Sequence, residues 1–216
     1  MSKTDQLESL FTRWVNAFPS YNGKFKKDGI IDESYYDRQK IKLLFIAKEA
    51  NDPSQTEGDY RDWWHEEVKY SFSHRICEWA YGIMNNFPPI NSLDSCGQQR
   101  IEVMKSIAFM NLKKSGGAAT VDHDKLGKVV DEERSYILEE IGIISPDILI
   151  GGVGSQAIWL KLFQNIAFKR SGFDIDVARV GKTKIIDYYH PSYRVPRAMS
   201  YAHLSRIVGS QPFRDL

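Results

Sequence analysis

Three short polar clusters in this chain each follow a run of apolar residues. The first is KEAND at positions 48–52, the second is NLKK at 111–114, and the third begins with His190-Pro191-Ser192. Together they offer carboxylate, amide and imidazole groups. A carboxylate and an imidazole can move protons or stabilise charge, and an amide can both donate and accept hydrogen bonds. These residue types indicate a candidate site if the fold brings the three clusters together.

The third cluster contains a histidine with a restricted backbone. Pro191 biases His190 toward an extended conformation and removes one amide donor. The preceding IIDYY, at 185–189, is typical of the end of a buried strand. Open α/β sheets bind ligands at the carboxyl ends of their strands, so His190 is well placed to face a ligand. A buried histidine with a satisfied ring is the alternative that the sequence leaves open.

The elements that must position these clusters follow from the apolar pattern. Strand-length apolar runs cover 41–47, 106–112, 147–152 and 184–189, with an additional strand expected over 174–181. Helical patterns cover 3–18, 73–87, 131–145, 155–166 and 196–208. Alternating strands and helices predict an α/β fold. We expect one domain over 1–216, in which residues 1–40 form an N-terminal helix and lead-in, with a central, mostly parallel four-stranded sheet in three α/β/α layers. The long polar stretch at 48–67 predicts a functional loop.

Composition narrows the class of protein. The net charge is +1, so no global basic field indicates nucleic acid, although charge can still cluster on one face. Two cysteines, Cys77 and Cys96, are too few for a disulfide framework and suit a reducing compartment. The chain begins without a signal-peptide pattern and has no run of about 18 apolar residues. We therefore expect a cytoplasmic monomer that has no membrane partner.

The order and spacing of the motifs resemble the uracil-DNA glycosylase superfamily. KEAND contains the Glu-Ala pair of one family form of the first motif, and NLKK is similar to the asparagine-led run at the second strand. SPDILIGGVGSQA matches the strand that ends in glycine, and His190-Pro191-Ser192 matches the closing motif. The resemblance runs from about Ile41 to Arg197. It implies a uracil-DNA glycosylase-like domain that binds DNA and hydrolyses the N-glycosidic bond of a flipped pyrimidine.

The resemblance also implies catalytic roles. Breaking an N-glycosidic bond develops negative charge on the leaving base, which a neutral His190 can stabilise. A carboxylate beside the sugar, from Glu49 or Asp52, can stabilise the cation or orient water. Asn111 suits base recognition because its amide both donates and accepts.

The resemblance places further base contacts around the first motif. Ala50 and Asn51 belong to the loop that binds the base. Trp63 lies about where the family has its stacking aromatic, with Trp64 and Tyr60 as rivals. Both tryptophans could equally be core residues.

The chain also departs from the family pattern. Lys48 replaces a glycine, and Asn51 and Asp52 replace Pro-Gly or Pro-Tyr. Asp52 occupies the position of the tyrosine that excludes substituents at C5, so the pocket is expected to admit bulky 5-substituted pyrimidines. Two cysteines cannot hold the iron–sulfur cluster of the branch with the most similar motifs. We expect no cofactor and no metal, and a role in base-excision repair or in defence against modified phage DNA.

Basic and polar residues around the motifs are expected to hold DNA. The family fills the gap left by a flipped base from the loop after His-Pro-Ser, where Arg194 stands at the position of a leucine wedge. The predicted DNA contacts are Lys113, Lys114, Ser192, Tyr193, Arg194 and Arg197.

Two other functions remain open. A protein of the same fold could bind nucleic acid without catalysis, because the first motif is altered. Gly152-x-Gly154-x-x-Ala157, with Asp174 and Asp176 about 20 residues further on, imitates a dinucleotide fingerprint and would indicate an oxidoreductase. In addition, VDHDK at 121–125 could hold an ion, although a solvated loop is the more ordinary interpretation.

Overall fold

A computed structural model describes residues 1–52, 54–93, 97–117 and 121–216. Its strands are β1 (Lys26–Lys27), β2 (Gly29–Ile30), β3 (Leu43–Ala50), β4 (Gly58–Asp59), β5 (Ala108–Gly116), β6 (Ile148–Gly151), β7 (Lys169–Arg170), β8 (Asp176–Val180) and β9 (Thr183–Asp187). Seven of them form one mixed sheet in the order β2-β5-β3-β6-β9-β8-β7, and β1 pairs with β4. The four central strands, β5, β3, β6 and β9, are parallel, and their antiparallel neighbours are β2 and β8.

The helices of the described chain cover both faces of this sheet. They are α1 (Lys3–Ala17), α2 (Glu33–Asp37), α3 (Tyr60–Glu66), α4 (Ser71–Met84), α5 (Gly97–Lys105), α6 (His123–Ile144), α7 (Gln156–Leu162), α8 (Arg197–Val208) and α9 (Gln211–Arg214). Leu44 and Ile46 of β3 pack into one core with α1, α6 and α7. Leu43 and Phe45 pack into a second core with α4, α5 and α8. Because successive strand residues point to opposite faces, the one apolar run of β3 supports both cores.

The predicted α/β class is confirmed, and the predicted four-strand count is wrong. The apolar runs identified the four parallel strands, but short antiparallel strands extend the sheet to seven. Strands of two residues, such as β2 and β7, carry no periodic signal of their own. Their pairing is set by neighbouring strands rather than by local sequence.

Two local predictions also need correction. The polar stretch 48–67 is not one long loop, because it contains the end of β3, then β4 and then α3. Helix α6 begins at His123 rather than near 131, because the Asp122 carboxylate accepts hydrogen bonds from the backbone N–H groups of Asp124 and Lys125. The VDHDK segment is therefore a helix start instead of a solvated loop.

Cys77 is buried, and Cys96 lies outside the described residues. Within the ranges given above, no helix is both long and apolar enough to cross a bilayer.

Candidate functional site

The carboxyl ends of the parallel strands bring Glu49 and Lys113 into register. The two residues lie opposite each other on β3 and β5, and the Lys113 Nζ donates to Glu49 Oε2 at 2.6 Å. The Glu49 side chain is 10% exposed and that of Lys113 is 28% exposed. A Cβ at Gly117 would lie 2.1 Å from the Glu49 carboxyl carbon, so only glycine allows the backbone this close. The Glu49 carboxylate is thus held at the sheet edge between a cation and the chain that follows β5.

His190 follows β9 at the same edge of the sheet. A Cβ at Gly152, just after β6, would lie 2.7 Å from the His190 Cα, so the two strand ends are in close contact. The backbone N–H of Ser192 donates to His190 Nδ1 at 3.2 Å, which leaves the ring proton of a neutral imidazole on Nε2. The Phe72 ring lies 5.5 Å from the imidazole, centroid to centroid.

The His190 ring is neutral at pH 7. Partial burial, assisted by the positive charge of Lys48, lowers its pKa to about 4. Both causes disfavour the imidazolium form. His190 can therefore donate one hydrogen bond from Nε2 without first carrying a charge, which is the state that an electrophile beside a developing anion requires.

Asn111 lies within β5 and is only 1% exposed. Its backbone N–H donates to Asp28 Oδ2 at 2.7 Å. Among the described residues, no acceptor has hydrogen-bond geometry to its side-chain nitrogen, although the Tyr60 hydroxyl is close enough to interact with the amide. Burial raises the pKa of Tyr60 to about 12, so the phenol keeps its proton. A buried amide without a good partner is costly, and a ligand edge could satisfy it.

The aromatic residues near the site separate into core and surface. Trp64 is 5% exposed and packs on Phe109, with 4.6 Å between ring centroids. Trp63 is 47% exposed and contacts Tyr60 at 4.8 Å. Trp64 is therefore a core residue, and Trp63 stays a candidate for stacking. The sequence gives no signal for Phe72, because the start of α4 carries no motif. Its contacts with both Phe109 and His190 form only in the fold.

The remaining first-motif residues have separate environments. The Asp52 carboxylate accepts from Lys26 at 2.5 Å and from the backbone and hydroxyl of Ser54. These hydrogen bonds lower the pKa of Asp52 to about 2. Ala50 is buried and Asn51 is exposed. Asp52 is ionised but committed to the loop and to Lys26, so Glu49 is the better placed of the two candidate carboxylates.

The predicted DNA-contacting residues differ in how exposed their side chains are. Ser192, Tyr193 and Arg194 are exposed, and the Tyr193 ring stacks on Tyr189 with centroids 5.4 Å apart. Arg197 is partly exposed and lies 2.6 Å from the buried carboxylate of Glu78.

Lys114 has no exposed surface and pairs with Asp28 and Glu140. A buried ammonium cannot reach phosphate, so the DNA contact predicted for Lys114 is wrong.

Lys48 is a site residue for which the sequence indicates no role. It is partly exposed at the end of β3, and its charge acts on His190. Within the described part of the chain, Lys48 has neither an ion pair nor a hydrogen-bonded partner for its side chain. Lys26, Lys113 and Lys114 each have a carboxylate partner. A cation left without a counter-charge beside a neutral histidine favours an anionic ligand.

Two cavities in the described residues are lined by none of Glu49, Asn111 and His190. A gap in the adjacent core, bounded by Ala47, Gly152, Tyr189 and Pro191 among others, is too small for a water molecule. A larger groove of about 540 Å³ lies elsewhere, between α1 and the β4–α3 segment. Its lining includes Phe11, Phe25, Lys27 and Asp62, and none of the candidate site residues.

No protein-family model and no curated protein matches this chain.

The glycine-rich turn after β6 has a packing role, because Gly152 lies against the backbone of His190. The Asp176 carboxylate is engaged by Gln156 and Arg170. These contacts give Gly152 and Asp176 structural roles, so neither residue of the sequence that resembles a dinucleotide fingerprint requires a cofactor to explain it. The four central strands and the site geometry therefore define an α/β protein with a polar site at the carboxyl edge of its parallel strands.

Proposed function

We propose that the protein is a monofunctional DNA glycosylase that hydrolyses the N-glycosidic bond of a flipped pyrimidine. The observation that supports this most strongly is the combination at one sheet edge of a neutral His190, a buried Asn111 amide in need of a partner, and the Glu49 carboxylate. These groups match the electrostatic demands of the reaction, in which negative charge grows on the base and positive charge grows on the sugar.

In the proposed reaction, the C1′–N1 bond breaks and both electrons remain on the base. His190 donates from Nε2 to a carbonyl oxygen of the departing base, which stabilises its negative charge. Asn111 binds the base edge through its amide, and Glu49 lies on the sugar side, where it stabilises positive charge. Water then adds to C1′ and gives up a proton to Glu49 or to solvent, which completes the hydrolysis.

The proposed substrate is a uracil-like or a bulkier 5-substituted pyrimidine in DNA. Asp52 is consistent with the bulkier base. Position 52 carries no aromatic ring that would exclude a 5-substituent, and Lys26 and Ser54 hold the Asp52 side chain. Tyr60 lies beside the Asn111 amide and Phe72 lies beside the His190 ring, so these two aromatic side chains would flank the flipped base. Base excision in repair and attack on modified phage DNA are both consistent with this chemistry.

The proposed DNA surface is the exposed loop after His190. Tyr193 is preorganised by its stack on Tyr189, and the neighbouring Arg194 can enter a groove or pair with phosphate. Trp63 offers an exposed ring for stacking on the flipped base.

A base-release screen tests the proposal. The wild-type protein is incubated with oligonucleotides that carry uracil, hypoxanthine, mismatched thymine or 5-substituted cytosines, and released bases are identified by mass spectrometry. We expect release of one pyrimidine class, and a loss of about 10²–10³ in rate for His190→Ala, the usual effect of removing one electrostatic stabiliser.

The matched control is His65→Ala. His65 is an exposed histidine whose Nε2 lies 3.0 Å from Asp32, and among the described residues its ring has no hydrogen bond or ion pair with Glu49, Asn111 or His190. Its rate should equal that of the wild type. If His190→Ala also released base at the wild-type rate, the catalytic assignment would fail.

A non-catalytic nucleic-acid binder is the second candidate. It is favoured by the Glu49–Lys113 pair, which occupies the carboxylate. Salt-sensitive oligonucleotide binding with no released base across the whole panel would select this function over the glycosylase.

A further inference from the structure

Behind the candidate site lies a fully buried ionic network formed by Asp28, Lys114 and Glu140. The Lys114 Nζ is 2.5 Å from Asp28 Oδ1 and 2.7 Å from Glu140 Oε2, and none of the three side chains has exposed surface. The ammonium also lies 5.8 Å from the Phe11 ring centroid and 5.3 Å from that of Trp14. The network therefore joins β5, α6 and the start of β2 beneath the helix α1.

Stability alone does not explain this network. Taking three ionisable groups out of water is expensive, and apolar residues of similar volume often stabilise a core as well or better. The cost is visible at Glu140, because burial raises its pKa well above the usual range despite the attraction of Lys114. A buried network of this kind calls for a role that apolar packing cannot supply.

The contact with Asn111 supplies such a role. The hydrogen-bonded pairing of β2 with β5 ends at Gly29 and Phe109. The residues of β5 that follow Phe109 therefore have no paired β2 residue beside them. The Asp28 carboxylate takes the partner's place, with Oδ2 accepting from the Asn111 N–H at 2.7 Å and Oδ1 accepting from Lys114. One carboxylate thus restrains β5 both at Asn111 and three residues beyond it.

The geometry at Gly29 explains how Asp28 reaches this position. Gly29 has a φ of +106°, which an L residue rarely adopts. A Cβ at this position would also lie 2.9 Å from a Leu7 methyl group. The bend at Gly29 therefore depends on glycine, and it turns the chain at the start of β2.

We propose that the Asp28–Lys114–Glu140 network positions Asn111, and that it thereby sets which base the site accepts. The inference rests on the proposed function for the base, but the restraint on Asn111 can be measured without any activity. Asp28 acts here as a positioning residue, because it reaches the proposed base only through Asn111.

The main test replaces the whole network with apolar residues in Asp28→Leu/Lys114→Met/Glu140→Leu. This variant should keep a cooperative unfolding transition, because no buried charge is left unpaired. Amide hydrogen exchange at Asn111 should become at least about 10-fold faster. The ratio of release rates for the preferred base over cytosine should fall about 10- to 100-fold, the range expected for losing a hydrogen bond to a charged group.

The matched control is Glu133→Gln on the same helix α6. Glu133 is also buried, and it accepts from the Trp14 indole and the Tyr21 hydroxyl. In the described part of the chain, no hydrogen bond or ion pair joins Glu133 to Asn111, so the exchange rate at Asn111 and the base ratio should both stay at wild-type values.

Should the triple variant fail to fold, Asp28→Asn keeps the shape and removes the charge, and the same two measurements apply. Wild-type exchange at Asn111 in a folded network variant would overturn the positioning role. A wild-type protein that releases no base would defeat the proposed function instead, and the exchange measurement would still decide the positioning role. Faster exchange with an unchanged base ratio would overturn the claim about base choice.

Discussion

Lys113 and Lys114 are neighbours on β5, and each binds a carboxylate, yet their surroundings differ completely. Lys113 is 28% exposed and pairs with Glu49 at the candidate site. Lys114 is fully buried and pairs with Asp28 and Glu140. Strand alternation sends the two side chains to opposite faces of the sheet, one toward the edge and one beneath α1 and α6. Lysine therefore forms a partly exposed ion pair in one case and belongs to a fully buried ionic network in the other.

The largest expected difference is in stability. Lys114→Ala leaves two buried carboxyl groups without their cation, and we expect it to lower the free energy of unfolding by about 3–5 kcal/mol. Lys113→Ala removes a partly exposed pair and should cost less than about 1 kcal/mol. Urea denaturation of both variants measures the two values. Equal losses would show that the two pairs have the same energetic role and would break the comparison.

The two regions should also give opposite pH dependences of stability. The pKa of His190 is lowered in the folded protein, so the stability it contributes is present above pH 6.5 and is lost as the pH falls toward about 4. The pKa of Glu140 is raised, so its contribution is present below pH 4.5 and is lost as the pH rises above that value.

Each group can change the slope by at most about 1.4 kcal/mol per pH unit. Denaturation from pH 4 to pH 7 should therefore show a stability that rises less steeply with pH in His190→Gln than in the wild type. It should rise more steeply in Glu140→Gln. A shift in the same direction for both variants would contradict the assigned charge states.

The smallest effect concerns Lys48, whose side chain has no ion pair or hydrogen bond with any described residue. Lys48→Met should raise the pKa of His190 by less than about one unit. The substitution removes one positive charge, and solvent screens that charge because Lys48 is partly exposed. Titration of the His190 ring protons by nuclear magnetic resonance measures the shift. Lys182→Met serves as the control, since Lys182 lies beside Asp147 before the start of β9, at the opposite end of the strand from His190. An identical His190 pKa in wild type and Lys48→Met would remove Lys48 from the site.

Much of the fold could be predicted because apolar runs report burial directly. The runs in β3, β5, β6 and β9 identified the parallel strands, and their order along the chain placed Glu49, Asn111 and His190 at strand ends. The antiparallel strands β2 and β7 could not be found this way, since two-residue strands have no period to detect. The start of α6 was missed because the cap at Asp122 lies well before the apolar stripe that marked the helix.

The candidate site was predictable in its residue types and not in its pairings. Asp52 and Glu49 are equivalent as carboxylates in the sequence, and only the fold shows that Lys26 and Ser54 hold Asp52. Trp63 and Trp64 are adjacent, and only packing against Phe109 assigns Trp64 to the core. Contacts of this kind join residues far apart in the chain, where local pattern carries no information.

The amino-acid sequence by itself determined the α/β class, the parallel strands and the three polar clusters at their ends, because hydrophobic periodicity and residue chemistry are local properties. Tertiary structure alone decided the charge state of His190, the lack of a described charge partner for Lys48, and the burial of Lys114. Lys114 meets Asp28 86 positions earlier in the chain, and Glu140 approaches from a separate helix. Desolvation and pairing depend on everything that surrounds a group in space, and for these residues that environment forms only when the sheet is covered by its helices.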